Sequence, residues 1–286
     1  MHSFDVPLQL MRGPSRDIEV LDSCNGLVCL RQSRVVYLWN PCTRESKRLP
    51  REIRHDEFFG LVYDESVDDY KVVRLLKDLG GKCKVEVYAL RTDSWREIQN
   101  FPYTSPFSAW SVFANGALYW LIVREHCPEG TRWNVVAFDL SKETYLEVPQ
   151  PNYDDDDDGV SNSDFCLQLV AVQVSLCLVR YYIQCCRSHT AVWIMKEYGA
   201  VWTKLVKIPL FQQPMIQITE ISQQLGRFLC FSRNGKFLMH TKNTLVLYSS
   251  KEDTFEYLPV PGGEILPYDY VHIKTHVDSL ISPNRL

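Results

Sequence analysis

Hydrophobic and polar residues alternate along most of this chain, in a unit that recurs five times. Each unit has an alternating strand, a polar turn, a second strand with aromatic residues, and an aliphatic residue before a closing proline. Alternation on both sides of a polar turn predicts two antiparallel β-strands. The units are VVYLWNPCTRESKRLP (Val35 to Pro50), VEVYALRTDSWREIQNFP (Val85 to Pro102), VVAFDLSKETYLEVP (Val135 to Pro149), AVWIMKEYGAVWTKLVKIP (Ala191 to Pro209) and TLVLYSSKEDTFEYLP (Thr244 to Pro259).

The closing prolines give the period of the repeat. They are Pro50, Pro102, Pro149, Pro209 and Pro259, with separations of 52, 47, 60 and 50 residues. Repeats of about 50 residues are typical of kelch-type propeller blades. One sheet alone cannot bury both of its faces, whereas several sheets packed around an axis can. We predict an all-β, kelch-like β-propeller of about five to six diverged blades.

Turn dipeptides supply the further strands that each blade needs. Asn25-Gly26, Asn115-Gly116 and Asn234-Gly235 each precede an apolar run, and Asn-Gly favours the left-handed turn of a tight hairpin. Residues Phe58 to Leu76 read as one more hairpin, with its turn at Asp64 to Asp69. A four-stranded blade can be assembled from such pairs.

The two ends of the chain are expected to meet. The segment Tyr270 to Pro283 has no hairpin partner of its own, so we predict that it pairs with the sheet that begins near Ile18 to Leu21, which closes the ring and covers an exposed edge. The prediction is a single domain over residues 1–286, with residues 1–17 irregular and residues 150–165 forming an acidic loop.

Composition and charge argue against several classes of partner. The chain has a formal net charge of −4 and a pI near 6.0, whereas nucleic-acid binding proteins usually carry a strongly basic face. The longest apolar run, Leu167 to Val179, is interrupted by polar residues and is too short to cross a bilayer of about 30 Å. We expect neither nucleic acid nor membrane as a partner.

The ten cysteines are interpreted as reduced thiols. Cys29, Cys177 and Cys230 lie in hydrophobic runs without compact metal spacing. No signal segment opens the chain and no Asn-x-Ser/Thr acceptor occurs in it. A cytoplasmic or nuclear location is expected.

Two charged clusters could bind a partner, although solvated surface is the simpler interpretation of both. The first is the acidic run Asp154 to Asp158, which lacks the spaced ligands and distal Glu of a calcium loop. The second is basic and surrounds the end of the first unit. It could meet an acidic or phosphorylated segment through charge-assisted hydrogen bonds, and it contains Arg44, Lys47, Arg48, Arg51, Arg54 and His55.

The sequence offers no support for catalysis, a metal or a cofactor. His272 and His276 lie in an alternating strand pattern, and Cys185-Cys186 near His189 has no orienting acid. The acyl-transfer, dinucleotide and phosphate-loop motifs G-x-S-x-G, G-x-G-x-x-G and G-x-x-x-x-G-K are absent.

The aromatic residues fall into two groups. Those at equivalent places in the units are expected to wedge between blades, and they are Trp39, Trp95, Trp120, Trp193 and Trp202. Irregular stretches instead hold residue types that favour interface hot spots. Our candidates for a substrate-binding surface are Tyr103, Phe107, Trp110, Arg124 and Trp133, with Arg51 and Arg54 from the basic cluster.

Eight ordered segments resemble the F-box-associated interaction domain of plant F-box proteins, including the F-box/kelch-repeat and S-locus F-box groups. They are SCNGLVCL (Ser23 to Leu30), LWNPCTRESKRLP (Leu38 to Pro50), GLVYDESVDDYKVVRL (Gly60 to Leu75), VEVYALRTDSWREI (Val85 to Ile98), FANGALYWL (Phe113 to Leu121), VVAFDLSKETYLEVPQP (Val135 to Pro151), WIMKEYGAVWTKL (Trp193 to Leu205) and HVDSLISP (His276 to Pro283).

The resemblance implies a non-catalytic role in a ubiquitin ligase. In such proteins an N-terminal F-box binds a Skp-type adaptor within a cullin ligase, and the associated domain recruits the target protein. The residues before Asn25 are too few and too poor in Leu-Pro helical pattern for an F-box. We therefore expect the F-box to be absent from this chain, as a truncation or a true loss.

Two alternatives to the receptor stay open. One is a stand-alone interaction scaffold, or a competitor that occupies targets without ligase coupling. The other is an enzyme that uses the propeller channel, which would need converging carboxylates, whereas the Asp and Glu residues here cluster in turns. The target protein cannot be deduced, because recognition loops vary independently of the strands.

Overall fold

The computed structural model contains β-strands joined by turns and loops. It describes residues 18–53, 57–77, 82–103, 111–124, 132–153, 165–182, 189–195, 201–209, 227–232, 234–241, 244–259 and 278–284. Within these ranges no helix is long and apolar enough to span a membrane.

Twenty strands follow one another along the described chain. The strands of the first two sheets are β1 (Ile18–Cys24), β2 (Leu27–Gln32), β3 (Val35–Trp39), β4 (Ser46–Glu52), β5 (Glu57–Asp64), β6 (Asp69–Lys77), β7 (Cys83–Ala89) and β8 (Ser94–Phe101). The strands of the third sheet are β9 (Val112–Ala114), β10 (Ala117–Arg124), β11 (Arg132–Asp139) and β12 (Thr144–Val148). The others are β13 (Phe165–Val172), β14 (Ser175–Tyr182), β15 (His189–Met195), β16 (Trp202–Pro209), β17 (Arg227–Phe231), β18 (Lys236–Thr241), β19 (Thr244–Ser249) and β20 (Thr254–Pro259).

These strands form five four-stranded antiparallel sheets, each made of four consecutive strands in chain order. We number them sheet 1 (β1–β4) to sheet 5 (β17–β20). The polar turns of the first and fifth units, at Asn40 to Glu45 and Ser249 to Thr254, and the predicted turn at Asp64 to Asp69 all join paired strands. The predicted hairpins are therefore confirmed, and the described residues contain twenty strands, four for each of five blades.

The hairpin turns require left-handed backbone at fixed places. Asn25 and Gly26 have φ of 42° and 89°, and Asn115 and Gly116 have φ of 47° and 76°. Positive φ at both central residues is the conformation that matches the twist of the flanking strands. The left-handed turns predicted at these two Asn-Gly dipeptides are therefore confirmed.

A tyrosine and an aspartate five residues later stabilise the turn between the third and fourth strands. In sheet 2 the hydroxyl of Tyr88 donates to Asp93 at 2.6 Å, and in sheet 5 Tyr248 donates to Asp253 at 2.9 Å. Asp93 and Asp253 have positive φ of 49° and 50°. Because Asp tolerates this backbone better than most residues, the carboxylate both permits the turn and binds it to the strand.

The closing prolines lie on or just after the fourth strand of each sheet, the edge strand. Pro50, Pro209 and Pro259 lie within β4, β16 and β20, while Pro102 and Pro149 follow β8 and β12. An edge strand tolerates a missing N–H and is protected by it from pairing with another chain. This explains why proline marks the period of the repeat.

The chain divides into two compact units. The first consists of residues 1–122, 136–147 and 274–286, and the second of residues 123–135 and 148–273. The prediction of one domain over residues 1–286 stays a prediction.

In the first unit, sheet 2 is covered on both faces. Tyr70 and Val72 of β6 pack in an apolar cluster with sheet 1, while Val73 and Leu75 pack in another cluster with sheet 3. All four side chains are at least 95% buried. Alternate residues of one strand thus face two different neighbours, as expected of stacked blades.

The first strands of neighbouring sheets lie side by side in each unit. β1 contacts β5, β5 contacts β9, and β13 contacts β17. Polar side chains bridge them: Asp22 accepts from the backbone N–H of Leu61 at 2.9 Å, and Gln168 donates to the carbonyl of Phe228 at 3.1 Å. These bonds satisfy backbone groups at strand edges that have no ladder partner.

The second unit repeats the same packing between sheets 4 and 5. Val179 of β14 and Val192 of β15 join Phe228, Met239 and Val246 of sheet 5 in one apolar cluster.

The predicted wedge tryptophans are buried wholly or in part. Trp39, Trp120 and Trp193 are at most 5% exposed, and Trp95 and Trp202 pack partly buried against apolar clusters.

The C-terminal residues contact sheet 1 through side chains. The predicted strand falls mostly on residues 270–277, which lie outside the described residues, and residues 278–284 are irregular. The buried amide of Asn40 donates to the carbonyls of Ser279 at 2.9 Å and Ile281 at 2.6 Å. A Cβ on Gly26 would lie 2.0 Å from the Cβ of Ser279. The described tail therefore binds sheet 1 without forming a ladder.

We expect Asn40→Asp to destabilise the protein by about 2–4 kcal/mol, because the new carboxylate oxygen would face two carbonyl oxygens in a buried site. The side chain would still accept the backbone N–H of Cys42, as it does now at 2.8 Å, so the turn itself is retained. Urea unfolding followed by tryptophan fluorescence measures the change.

Asn234→Asp is the matched control, since Asn234 is exposed in a turn and the change should stay within about 0.5 kcal/mol. Equal unfolding midpoints for Asn40→Asp and the unmodified protein would show that the tail contact does not stabilise sheet 1.

Candidate interaction surface at the loop end of the sheets

In each antiparallel sheet the turns after the first and third strands lie at one end, and the connections that lead from one sheet to the next lie at the other. At the first end, residues 25–26, 65–68 and 90–93 join strands within sheets 1 and 2. At the other end, residues 102–111 lead from sheet 2 to sheet 3 and residues 125–131 join β10 to β11. We call the second end the loop end, and binding residues concentrate on such connections.

Contacts between neighbouring sheets show that the loop ends of sheets 1 to 3 coincide in the first unit. Arg51, near the end of β4, pairs with Glu86 in the middle of β7 at 3.0 Å. Tyr103, just after β8, donates to Glu147 near the end of β12 at 2.8 Å.

The candidate binding residues belong to this loop end by their place in the strand order. Arg51 is exposed, whereas Tyr103 is half-buried and packs edge-on against Phe101 at 5.4 Å. Arg124 is the last residue of β10, and its side chain is outside the description. Arg54, Phe107 and Trp110 fall in the same set of connections but outside the described residues.

The prediction that Trp133 lies in an irregular, surface stretch is wrong. Trp133 is in β11, which begins at Arg132, and its side chain is only 8% exposed. Its carbonyl accepts a hydrogen bond from the amide of Gln150. The strand begins earlier than the alternation at Val135 indicated, so Trp133 is a buried strand residue.

A buried ion-pair network lies beneath Arg51. Arg74 of β6 donates to Glu86 at 2.7 Å and lies 3.6 Å from Glu57 of β5. Arg74 and Glu57 are 5% and 8% exposed. The guanidinium also lies over the ring of Trp95, 4.9 Å from its centroid. Two arginines and two glutamates thus form one connected group between sheets 1 and 2.

Glu57, Arg74 and Glu86 were not among the residues predicted from the sequence. Arg74 occupies the same face of β6 as Tyr70 and Val72, which face sheet 1. A charged residue in register with a buried face was the available signal, since buried charges are rare unless they are paired.

The basic cluster is divided by strand alternation. Lys47 faces sheet 2 and pairs with Asp93 at 3.3 Å, as Arg51 pairs with Glu86. Arg44 and Arg48 are exposed and form no ion pair within the described part of the chain. His55 lies outside the described residues.

At the tight-turn end, carboxylates of one sheet hold the neighbouring sheet. Arg96 of β8 donates to Glu143 in the turn of sheet 3, with Nη1 to Oε2 at 3.0 Å. This hydrogen bond outweighs partial burial and lowers the pKa of Glu143. The hydrogen bond from Tyr88 likewise lowers the pKa of Asp93, with Lys47 assisting.

The described cysteines form no disulfide, and burial keeps the thiols of Cys24 and Cys177 protonated near neutral pH. Burial, with a smaller effect of the Asp22 charge, raises the pKa of Cys24 to about 12, and burial raises the pKa of Cys177 to about 12. Such thiols are poor nucleophiles near neutral pH.

Several other candidate groups fall outside the described residues. They are Asp154 to Asp158, Cys185, Cys186, His272 and His276. Across the described ranges, no group of three or more His, Cys, Asp or Glu side chains is placed to hold a metal ion.

A family model for the F-box associated beta propeller domain matches residues 5–282. The chain belongs to this F-box-associated family. With this match and the five consecutive four-stranded sheets, the predicted all-β propeller class is confirmed. The resemblance seen in the eight sequence segments is confirmed with it.

Curated relatives of this F-box-associated chain are Arabidopsis thaliana F-box proteins. An F-box/kelch-repeat protein is 29% identical over 94% of this chain and 70% of its own length. A second F-box protein is 30% identical over 84% of this chain and 63% of its own length, and the F-box protein CPR1 is 30% identical over 82% and 61%. The chain thus spans between 61% and 70% of these three relatives.

We expect Arg74→Met to lower the free energy of unfolding by about 3–5 kcal/mol, because it leaves the carboxylates of Glu57 and Glu86 without their buried cation. Arg51→Met is the matched control, since Arg51 is an exposed partner of the same Glu86 and its loss should cost at most about 1 kcal/mol. Urea unfolding of both variants tests this, and similar losses would contradict a buried network.

The Arg96–Glu143 pair should make stability depend on pH. Because the folded protein lowers the pKa of Glu143, the pair stabilises above the ordinary value of 4.5 and loses this effect as the pH falls through the folded value. Glu143→Gln should therefore have a lower melting temperature than the unmodified protein at neutral pH, with the difference shrinking in acid. Arg96→Gln should show the same convergence, and a difference that persists in acid would argue against the pair.

Proposed function

We propose that this F-box-associated domain is the substrate-recognition part of a Skp-cullin-F-box E3 ubiquitin ligase. It binds a target protein, and ubiquitin is transferred by other subunits. The observation that carries the proposal is the family match over residues 5–282, together with relatives that are F-box proteins longer than this chain. An F-box would connect the domain to a Skp-type adaptor and a cullin.

In this proposal the chain performs no covalent chemistry. A receptor needs a rigid body and a variable surface, and the burial of Cys24 and Cys177, which raises their pKa, argues against nucleophilic thiols at these positions. We place the protein in the cytoplasm or nucleus, where its cysteines stay reduced.

The loop end is the proposed target-binding surface. Its support is the length of the connections there: residues 102–111 lead from sheet 2 to sheet 3 and residues 125–131 join β10 to β11, whereas the turns after the first and third strands of sheets 1 to 3 span at most six residues. Sheet 2, held by apolar clusters on both faces, gives these connections a fixed base. Aromatic residues and arginines in the connections have the chemistry of interface hot spots.

Proximity labelling in plant cells with the proteasome blocked tests the proposal. The labelled chain should capture a small set of proteins whose ubiquitination falls, and whose abundance rises, when the gene is disrupted. The labelling enzyme alone is the control. Captured partners whose ubiquitination and abundance do not respond to gene disruption would overturn the ligase role and favour an interaction scaffold.

A further inference from the structure

The guanidinium of Arg51 is paired with a carboxylate on one side and open to solvent on the other. Its side chain is 51% exposed, and Nη1 donates to Oε1 of Glu86 at 3.0 Å. A guanidinium has five N–H donors in a planar fork. Arg51 makes no other hydrogen bond within the described ranges, so most of its donors point to solvent.

The partner that holds Arg51 is itself fixed from below. The second carboxylate oxygen of Glu86 accepts from Arg74 at 2.7 Å, and Arg74 is buried between Glu57 and the ring of Trp95. The Glu86 carboxylate that holds Arg51 is therefore fixed, because it cannot shift without disturbing the packing between sheets 1 and 2. Pre-organisation of this kind lowers the entropy cost of binding.

The open donors of the Arg51 guanidinium, and not a net positive charge, are what favours an anion here. Arg51 and Arg74 are balanced by Glu57 and Glu86, so the network is neutral as a whole. Glu57 lies against the buried Arg74, and the carboxylate of Glu86 is shared between Arg74 and Arg51. Arg51 is the member most open to solvent. The connection that follows in the sequence holds Arg54 and Asp56, whose charges balance. Glu52 pairs in the ladder with Val35, is exposed and adds a negative charge to the same strand.

We propose that Arg51 is the anchor for an anionic segment of the target protein, and that Glu86 and Arg74 are the positioning residues that hold its guanidinium ready. The inference rests on the proposed function, because it names the chemistry of the segment that the loop end binds. The anion is a carboxylate or a phosphate, since both match the planar fork of arginine.

Fluorescence anisotropy with three synthetic peptides of one sequence tests this inference. The peptides differ at two positions, which carry phosphoserine, aspartate or asparagine. The protein should bind at least one of the anionic peptides more tightly than the asparagine peptide. This difference in affinity should shrink as the salt concentration is raised. Arg51→Ala should weaken that binding by about tenfold, which corresponds to about 1.4 kcal/mol, and leave the asparagine peptide unaffected.

Arg48→Ala is the matched control. Arg48 is an exposed arginine of the same strand without an ion pair to any described residue, and by alternation it points to the other face of β4. It should change the affinity by no more than about twofold. Arg51→Lys should fall between Arg51→Ala and the unmodified protein, because it keeps the charge and loses the fork.

Three results would overturn the inference: no preference of the unmodified protein for the anionic peptides, no effect of Arg51→Ala, or an equal effect of Arg48→Ala. Preference for phosphoserine over aspartate identifies phosphate as the ligand, and equal binding identifies general carboxylate recognition. The melting temperature of Arg51→Ala, expected near that of the unmodified protein, separates lost binding from lost folding.

The outcome is independent of the ligase test. Captured proteins whose ubiquitination depends on this gene, combined with unchanged peptide binding by Arg51→Ala, would leave the receptor role intact and remove the anchor. Loss of peptide binding by Arg51→Ala without any ubiquitination effect would leave an anion-binding interaction domain outside a ligase.

Discussion

The structure depends on one constraint: a four-stranded sheet with two apolar faces must be covered on both. Sheet 2 shows how this is met, since alternate residues of β6 enter the clusters shared with sheet 1 and with sheet 3. Burial of apolar area is the main stabilising term, and here it comes from contacts between sheets. The faces of the sheets are thereby used for folding, which leaves their ends and edge strands available for binding.

Polar side chains then bond to backbone groups that have no ladder partner where two sheets meet. Asp22 and Gln168 bond to backbone groups of the next first strand, and Asn40 binds the tail to sheet 1. The Arg74 network has a different consequence. It places a neutral, hydrogen-bonded group at the loop end of the junction between sheets 1 and 2, where Arg51 meets solvent. The same contact that joins two sheets also orients a surface cation.

Much of the fold could be read from the sequence, and less of the site. Hairpins were predictable because strand alternation, Asn-Gly turns and edge prolines are local features. Trp133 was misplaced because strand β11 starts before its alternation becomes regular. The network of Glu57, Arg74 and Glu86 was missed because its members are spread over three strands and are united only by register.

By itself, the sequence determined the strands, their turns, the period near 50 residues and the family, since each is written in neighbouring residues or in repeated spacing. Only the tertiary structure decided which members of the basic cluster are paired. Lys47 and Arg51 face a neighbouring sheet that supplies carboxylates, whereas Arg48 does not. The physical reason is that a side chain's face follows from its strand, but its partner belongs to another sheet, distant in the chain and brought close by packing.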